Sequence, residues 1–181
     1  MSLVYVFLAD GFEEVEGLTA VDLLRRAGAD VKTVSIMGRK RITSSHQVAV
    51  ESDLIFEEIS EKADMLVLPG GLPGTTHLKE HEGLSELLRE QYEAGRWVAA
   101  ICAAPSVLGA LGFLKGRKAT SYPGFVDDTV CGQYVEDAVV VDGNVVTSRG
   151  LGTAIPFGLT LIELLFDKEK SEEIAHSIMY R

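Results

Sequence analysis

The segment Val98-Ala99-Ala100-Ile101-Cys102-Ala103-Ala104-Pro105 runs an apolar strand pattern into a cysteine with small residues two positions to either side. That is the steric requirement of a nucleophile elbow, a strand-to-helix turn too tight for bulky flanks. Ala100 and Ala104 meet it. Such a turn puts the sulfur at the start of a helix, where free backbone N–H groups and the helix dipole are expected to lower a thiol pKa. Taken alone, the segment fits an inert core cysteine equally well, because free cysteine is among the most buried residue types.

Leu66-Val67-Leu68-Pro69-Gly70-Gly71 ends a second strand pattern in glycines. If the two strands are parallel neighbours, Gly70 and Gly71 lie on the same edge as Cys102. Their N–H groups, with that of Ala103, then make an oxyanion hole; the plainer alternative is an ordinary turn. Gly11-Phe12-Glu13-Glu14-Val15-Glu16-Gly17 follows the first strand pattern. Glu13 and Glu14 suit the positive end of a helix dipole. Glu16 is the candidate to point inward, where burial beside a thiol raises a carboxyl pKa and allows it to shuttle a proton. The four histidines, His46, His77, His81 and His176, show no spacing that pairs any of them with Cys102. The other cysteine, Cys131, has no elbow pattern and reads as structural. The two cysteines have neither metal-ligand spacing nor the setting for a disulfide in a reducing compartment.

These residues need a scaffold that gathers strand ends. Strand patterns at Leu3–Leu8, Val31–Ile36, Ala63–Leu68 and Trp97–Ile101 alternate with helical patterns near Glu13–Ala27, Gly83–Ala94 and the stretch from Cys102 to Gly112. Residues 40–54 read as a small β excursion. Val139–Val141 and Val145–Thr147 flank a hairpin turn, and helices fill most of Thr153–Met179. Alternation of this kind predicts an α/β fold, an open doubly wound sandwich with a mostly parallel sheet and ligands beyond the carboxyl ends of its strands.

The chain has 181 residues, a length suited to one domain over 1–181. Its formal net charge is -10, which disfavours nucleic acid as a partner. Gly38-Arg39-Lys40-Arg41, the densest basic run, reads as a solvated turn. No apolar run is long enough to span a membrane. The apolar start lacks a basic lead-in and a cleavage site, so a cytoplasmic location is expected.

Four motifs in order resemble the ThiJ/PfpI superfamily, within it the clade of the parkinsonism-associated deglycase and its bacterial relatives. They are Ala9-Asp10-Gly11-Phe12-Glu13-Glu14-Val15-Glu16, Leu68-Pro69-Gly70-Gly71, Ala100-Ile101-Cys102-Ala103-Ala104-Pro105 and Thr147-Ser148-Arg149-Gly150-Leu151-Gly152-Thr153. The resemblance covers nearly the whole chain and decides for a reactive Cys102. It implies a flavodoxin-like sandwich and a homodimer with the first helix in the interface. Cys102 matches the reactive cysteine, Glu16 its protonated glutamate, and Gly71 and Ala103 the backbone donors facing a bound oxygen. Arg26 and the Thr147–Thr153 segment match positions that line or support the site. Tyr122 stands where some members carry a histidine, and a phenol is a poor base near neutral pH. His46 stands where animal members carry an arginine of an anion site, replacing a permanent charge by a titratable one.

Two functions follow from the resemblance. One is a cofactor-free, metal-free enzyme acting on small carbonyls or glycated proteins, of the glutathione-independent glyoxalase or deglycase type. The other is a redox-sensing stress protein or chaperone in which Cys102 becomes sulfinic acid. Peptidase activity is disfavoured, because Ala103 occupies the place of the histidine in the intracellular protease branch.

Overall fold

A computed structural model describes residues 1–180. In chain order the elements are β1 (Leu3–Leu8), α1 (Glu14–Arg26), β2 (Asp30–Ser35), β3 (Arg41–Thr43), β4 (Ala49–Glu51) and β5 (Leu54–Ile55). There follow β6 (Met65–Leu68), α2 (Gly74–Glu80), α3 (Glu82–Glu93), β7 (Trp97–Ile101), α4 (Pro105–Ala110), β8 (Lys118–Ala119) and β9 (Gln133–Tyr134). The chain closes with β10 (Val139–Asp142), β11 (Val145–Ser148), α5 (Ala154–Leu165) and α6 (Lys168–Ser177).

Seven strands form one sheet in the order β10-β11-β7-β6-β1-β2-β5. Every pairing within it is parallel except the β10–β11 hairpin. This is the mostly parallel α/β sandwich expected. Because both faces are covered, β6 is buried along its whole length and β1 and β7 along all but their first residues. Alternate residues feed two cores. Val4, Val6, Leu8, Val67, Ala99 and Ile101 pack toward α1 and α5 with Phe157 and Leu161. Tyr5, Phe7, Leu66, Leu68, Val98 and Ala100 pack toward α3 and α4 with Leu84, Leu88 and Leu108.

Helix α1 begins where its sequence provides a cap. The Glu13 carboxylate accepts the Glu16 N–H at 2.8 Å, the role of an acidic N-cap. It ends at Gly28, whose φ of +92° is the left-handed conformation of a helix stop. Residues 40–54 do contain the expected β excursion, the antiparallel β3–β4 pair.

One helix and one strand pair were not expected. Helix α2 has no apolar period and opens on Gly-Thr-Thr, so nothing local marks it. Gly74 is held against Phe12 so closely that a Cβ there would lie 2.6 Å from the Phe12 nitrogen. The two-residue β8–β9 pair is likewise too short to leave a pattern.

Register gathers the motif residues. Leu68 pairs with Ala100, and Ser148 with Ile101. Neighbouring β1, β6, β7 and β11 therefore present their carboxyl ends side by side. The chain leaves β1 toward β2 and leaves β6 toward β7, in opposite directions along the sheet. The crevice between them is the topological switch point, where doubly wound sheets bind ligands.

Candidate active site

Cys102 follows β7 with φ +66°, a left-handed conformation outside glycine. Such a conformation costs roughly 1–3 kcal/mol and persists only where surroundings impose it. Here the Cys102 N–H donates to the Ser148 carbonyl at 3.0 Å, and the Tyr122 N–H donates to the Cys102 carbonyl at 2.8 Å. Ala100 and Ala104 are fully buried, the small flanks that a tight elbow needs. Cys102 itself is half-buried.

Glu16 lies one turn into α1 and is 1% exposed. Its Oε2 accepts the Gly70 N–H at 3.0 Å. Its Oε1 is buried, and the carboxyl interacts with the Cys102 side chain. A methyl group placed on Gly150 would meet the Tyr122 ring at 3.6 Å, Cys102 Sγ at 3.9 Å and Glu16 Oε1 at 3.9 Å. Four segments distant in sequence thus converge on one small volume.

Electrostatics couple the two groups. Burial holds the Glu16 carboxyl up at about 7, opposed by its hydrogen bonds with Cys102 and Gly70 and reinforced by the charge of Glu13. Burial, then the charge and hydrogen bond of Glu16, push the Cys102 thiol up to about 12, against the N–H groups of Ala103 and Gly71. This reverses the expected sign for Cys102. Helix α4 is only six residues long and starts three residues past the sulfur, so its dipole is outweighed by burial and a facing carboxyl. The pair titrates as a unit: it loses its first proton near 7 and its second near 12.

The structure sorts the expected site residues. Glu16, Gly71, Ala103 and Cys102 come together as anticipated. Tyr122 lines the mouth, 53% exposed. Gly70 has a different task from the oxyanion donor expected: its N–H is spent on Glu16. A Cβ there would fall 2.6 Å from the Cys102 Cβ and 2.8 Å from Glu16 Oε2, so only glycine lets the two chains approach.

Arg26 is not brought to the site within this chain. It sits ten residues beyond Glu16, about 15 Å along α1, and pairs with Asp22 at 2.6 Å. His46 is also displaced from the sulfur. Its ring nitrogen lies 3.1 Å from Glu14 and 3.9 Å from Glu13, so it meets the site only through Glu13. Glu13, Glu14 and His46 are close enough to hold a cation, but these groups already bond one another and cap α1.

The sequence marks Gly150 only as part of a motif, and its place against sulfur and carboxyl follows from the β11–β7 register. Cys131 is buried and donates its S–H to the Asp127 carbonyl at 3.3 Å, in accord with a structural role. No helix among the described residues is long and apolar enough to cross a membrane.

Known proteins resemble this chain in sequence and in fold. Protein dj-1beta of Drosophila melanogaster is 42% identical over 96% of this chain and 95% of its own. A deglycase of Pyrococcus abyssi is 37% identical over 90% of this chain and 98% of its own. Protein DJ-1 homolog A of Arabidopsis thaliana is 41% identical over 98% of this chain and 46% of its own. The chain spans about half the length of the plant relatives it matches. The structure of Toxoplasma gondii DJ-1, oxidized, aligns with a TM-score of 0.94 at 35% identity, covering 99% of this chain and 98% of that one. Drosophila DJ-1beta aligns with a TM-score of 0.92 at 41% identity, covering 99% and 98%. The DJ-1/PfpI family profile itself matches residues 2–164, and the chain belongs to the DJ-1/PfpI family.

Proposed function

We propose that the protein is a cofactor-free enzyme acting on small reactive carbonyls, of the glyoxalase or protein deglycase type, with Cys102 as nucleophile and Glu16 as proton shuttle. The observation that carries this reading is the buried Glu16–Cys102 pair, which keeps one proton between about 7 and about 12. In that state Glu16 is the carboxylate and Cys102 the thiol, so Glu16 takes the sulfur's proton as the substrate arrives, and the Ala103 and Gly71 N–H groups receive the charge left on sulfur. The name of the archaeal relative, a deglycase, supports the same class of chemistry.

The thiolate attacks the aldehyde carbon of a 2-oxoaldehyde such as methylglyoxal. An S–C bond forms, the carbonyl electron pair moves to oxygen, and Glu16 supplies the proton that gives a neutral hemithioacetal. The Glu16 carboxylate then takes the C1 hydrogen and returns it to C2, leaving the thioester of a 2-hydroxy acid. Water hydrolyses the thioester and restores the thiol. The aldehyde is oxidised and the adjacent ketone reduced, so no electrons leave the substrate. Lactate formation from methylglyoxal tests the reading. Cys102→Ser is expected to abolish it, and activity retained in that variant overturns the Cys102 mechanism.

A second reading, a redox sensor or stress chaperone, is favoured by the same geometry, since a protonated carboxyl and two N–H groups suit a sulfinate. The Toxoplasma gondii neighbour is an oxidized form. Mass spectrometry after mild peroxide tests it: Cys102 should gain two oxygens before Cys131 does, and equal reactivity counts against it. We also propose a homodimer in the cytoplasm. Supporting the dimer, α1 carries the exposed Val15 and shares an outward apolar groove with Ile155 and Ile178. Light scattering checks the mass.

A further inference from the structure

Three helices begin with a side chain that accepts a backbone N–H of their first turn: Glu13 for α1, His81 for α3 and Asp167 for α6. Threonine is a favoured residue for this task. Thr153 stands at the start of α5, yet its side chain leaves that bond unmade. The hydroxyl turns back toward β11 instead. It lies 2.7 Å from Ser148 Oγ, accepts the Gly150 N–H at 3.1 Å and has the Gly150 carbonyl at 2.9 Å. Ser148 is fully buried and donates its own hydroxyl hydrogen to the Ala138 carbonyl at 2.7 Å. A hydroxyl has one hydrogen to give, so Thr153 is the donor to Ser148 and shares that hydrogen with the Gly150 carbonyl. Both residues it holds reach the sulfur by their backbone. The Ser148 carbonyl accepts the Cys102 N–H at 3.0 Å, one of the two bonds that keep Cys102 at φ +66°. A methyl group on Gly150 would lie 3.9 Å from both Cys102 Sγ and Glu16 Oε1. A local rule is broken here, a helix start without its cap, and such breaks are expected where function demands them.

We propose that Thr153 is a positioning residue for the chemistry at Cys102. Its hydroxyl ties the end of β11 to the Gly150 turn, and the tied backbone keeps Cys102 in its left-handed conformation opposite Glu16. The kinetic consequence rests on the carbonyl reading; the tether rests on the hydrogen bonds alone. The physical reason is strain. A left-handed cysteine relaxes when its restraints loosen, and a displacement of about 1 Å at the reacting atoms costs roughly 100-fold in rate. Without the Thr153 oxygen the Gly150 N–H also loses its acceptor.

Amide hydrogen exchange and turnover of methylglyoxal, measured on Thr153→Val and Thr153→Ser, test the proposal. Valine keeps the shape and removes the hydroxyl; serine keeps the hydroxyl. In Thr153→Val the Gly150 and Cys102 amides should exchange about tenfold faster, the scale of one hydrogen bond. The first-turn amides of α5 should keep their protection. The kcat should fall about 10–100-fold, with KM held within about twofold, the split expected when geometry at the reacting atoms is lost and binding is not. Thr153→Ser should restore both the exchange rates and kcat. Protection lost in the first turn of α5 and kept at Gly150 and Cys102 makes Thr153 a helix cap and overturns the tether. An unchanged kcat in Thr153→Val, or no recovery in Thr153→Ser, overturns the positioning role. If Thr153→Val does not fold, Ser148→Ala cuts the same tether, and it should show the same losses in Cys102 amide protection and in kcat; wild-type values there overturn the proposal. If the wild type turns over no methylglyoxal, the carbonyl reading fails, while exchange at the Cys102 amide still decides the tether.

Discussion

The two cysteines sit in the same chain under opposite regimes. Both thiols are pushed up, and burial is the largest cause for each. Cys131 hands its hydrogen to a carbonyl that cannot give one back, that of Asp127 in its own loop. Cys102 faces a carboxyl that is itself held up at about 7, with two backbone N–H groups turned to the sulfur. On the proposed reading, burial therefore does not separate an inert thiol from a reactive one. A facing carboxyl able to take the proton does, together with donors placed for the charge that the proton leaves behind.

Breaking that contrast has a graded series of expected outcomes. The largest is Cys102→Ser, which should lower lactate formation from methylglyoxal by at least ~10³-fold, while Cys131→Ser keeps wild-type turnover. Glu16→Gln comes next, at roughly 100-fold in kcat, the usual contribution of a positioned acid–base group. The wild-type rate should rise with pH through about 7, as the pair loses its first proton, and the variant should lose that rise.

The same substitution sharpens the contrast in stability. The Glu16 carboxyl goes from its ordinary 4.5 to about 7 in the folded chain, so the folded state binds this proton more tightly. Its contribution is fully present below about 4.5 and is lost as pH rises through about 7. Denaturant titrations at several pH values should show wild type losing roughly 3 kcal/mol relative to Glu16→Gln across that window. Gly70→Ala should cost roughly 1–3 kcal/mol in the same titrations through overpacking against Cys102 and Glu16. The smallest effect is a gain. Thr75 is 3% exposed and its hydroxyl has no partner, so Thr75→Val should stabilise by about 1 kcal/mol.

Legibility in the sequence followed the range of the interaction responsible. The elbow at Cys102 was visible because its constraint spans five residues and demands small ones. Strands β1, β6 and β7 were visible because a sheet covered on both faces needs continuous apolar runs. Helix α2 was not, because it is held by Phe12 packing on Gly74 across more than sixty positions of chain rather than by its own pattern. The direction of the Cys102 shift is hidden from the sequence for the same reason. A helix start is a local feature, whereas desolvation and the approach of Glu16 depend on how β1 and β7 flank β6.

Residue types and their order were therefore enough to establish the α/β class and the family and to single out Cys102 and Glu16 as candidates, since each rests on covalent neighbours or on a motif. Tertiary structure alone decided that Gly70 serves Glu16 and that Arg26 lies about 15 Å along α1 from it. It alone set His46 against Glu14 and Glu13 and laid the Tyr122 ring beside the Cys102 sulfur. Those outcomes depend on distances between segments joined only through the sheet register, and the strength of a charge, a hydrogen bond or an apolar contact is set by that distance.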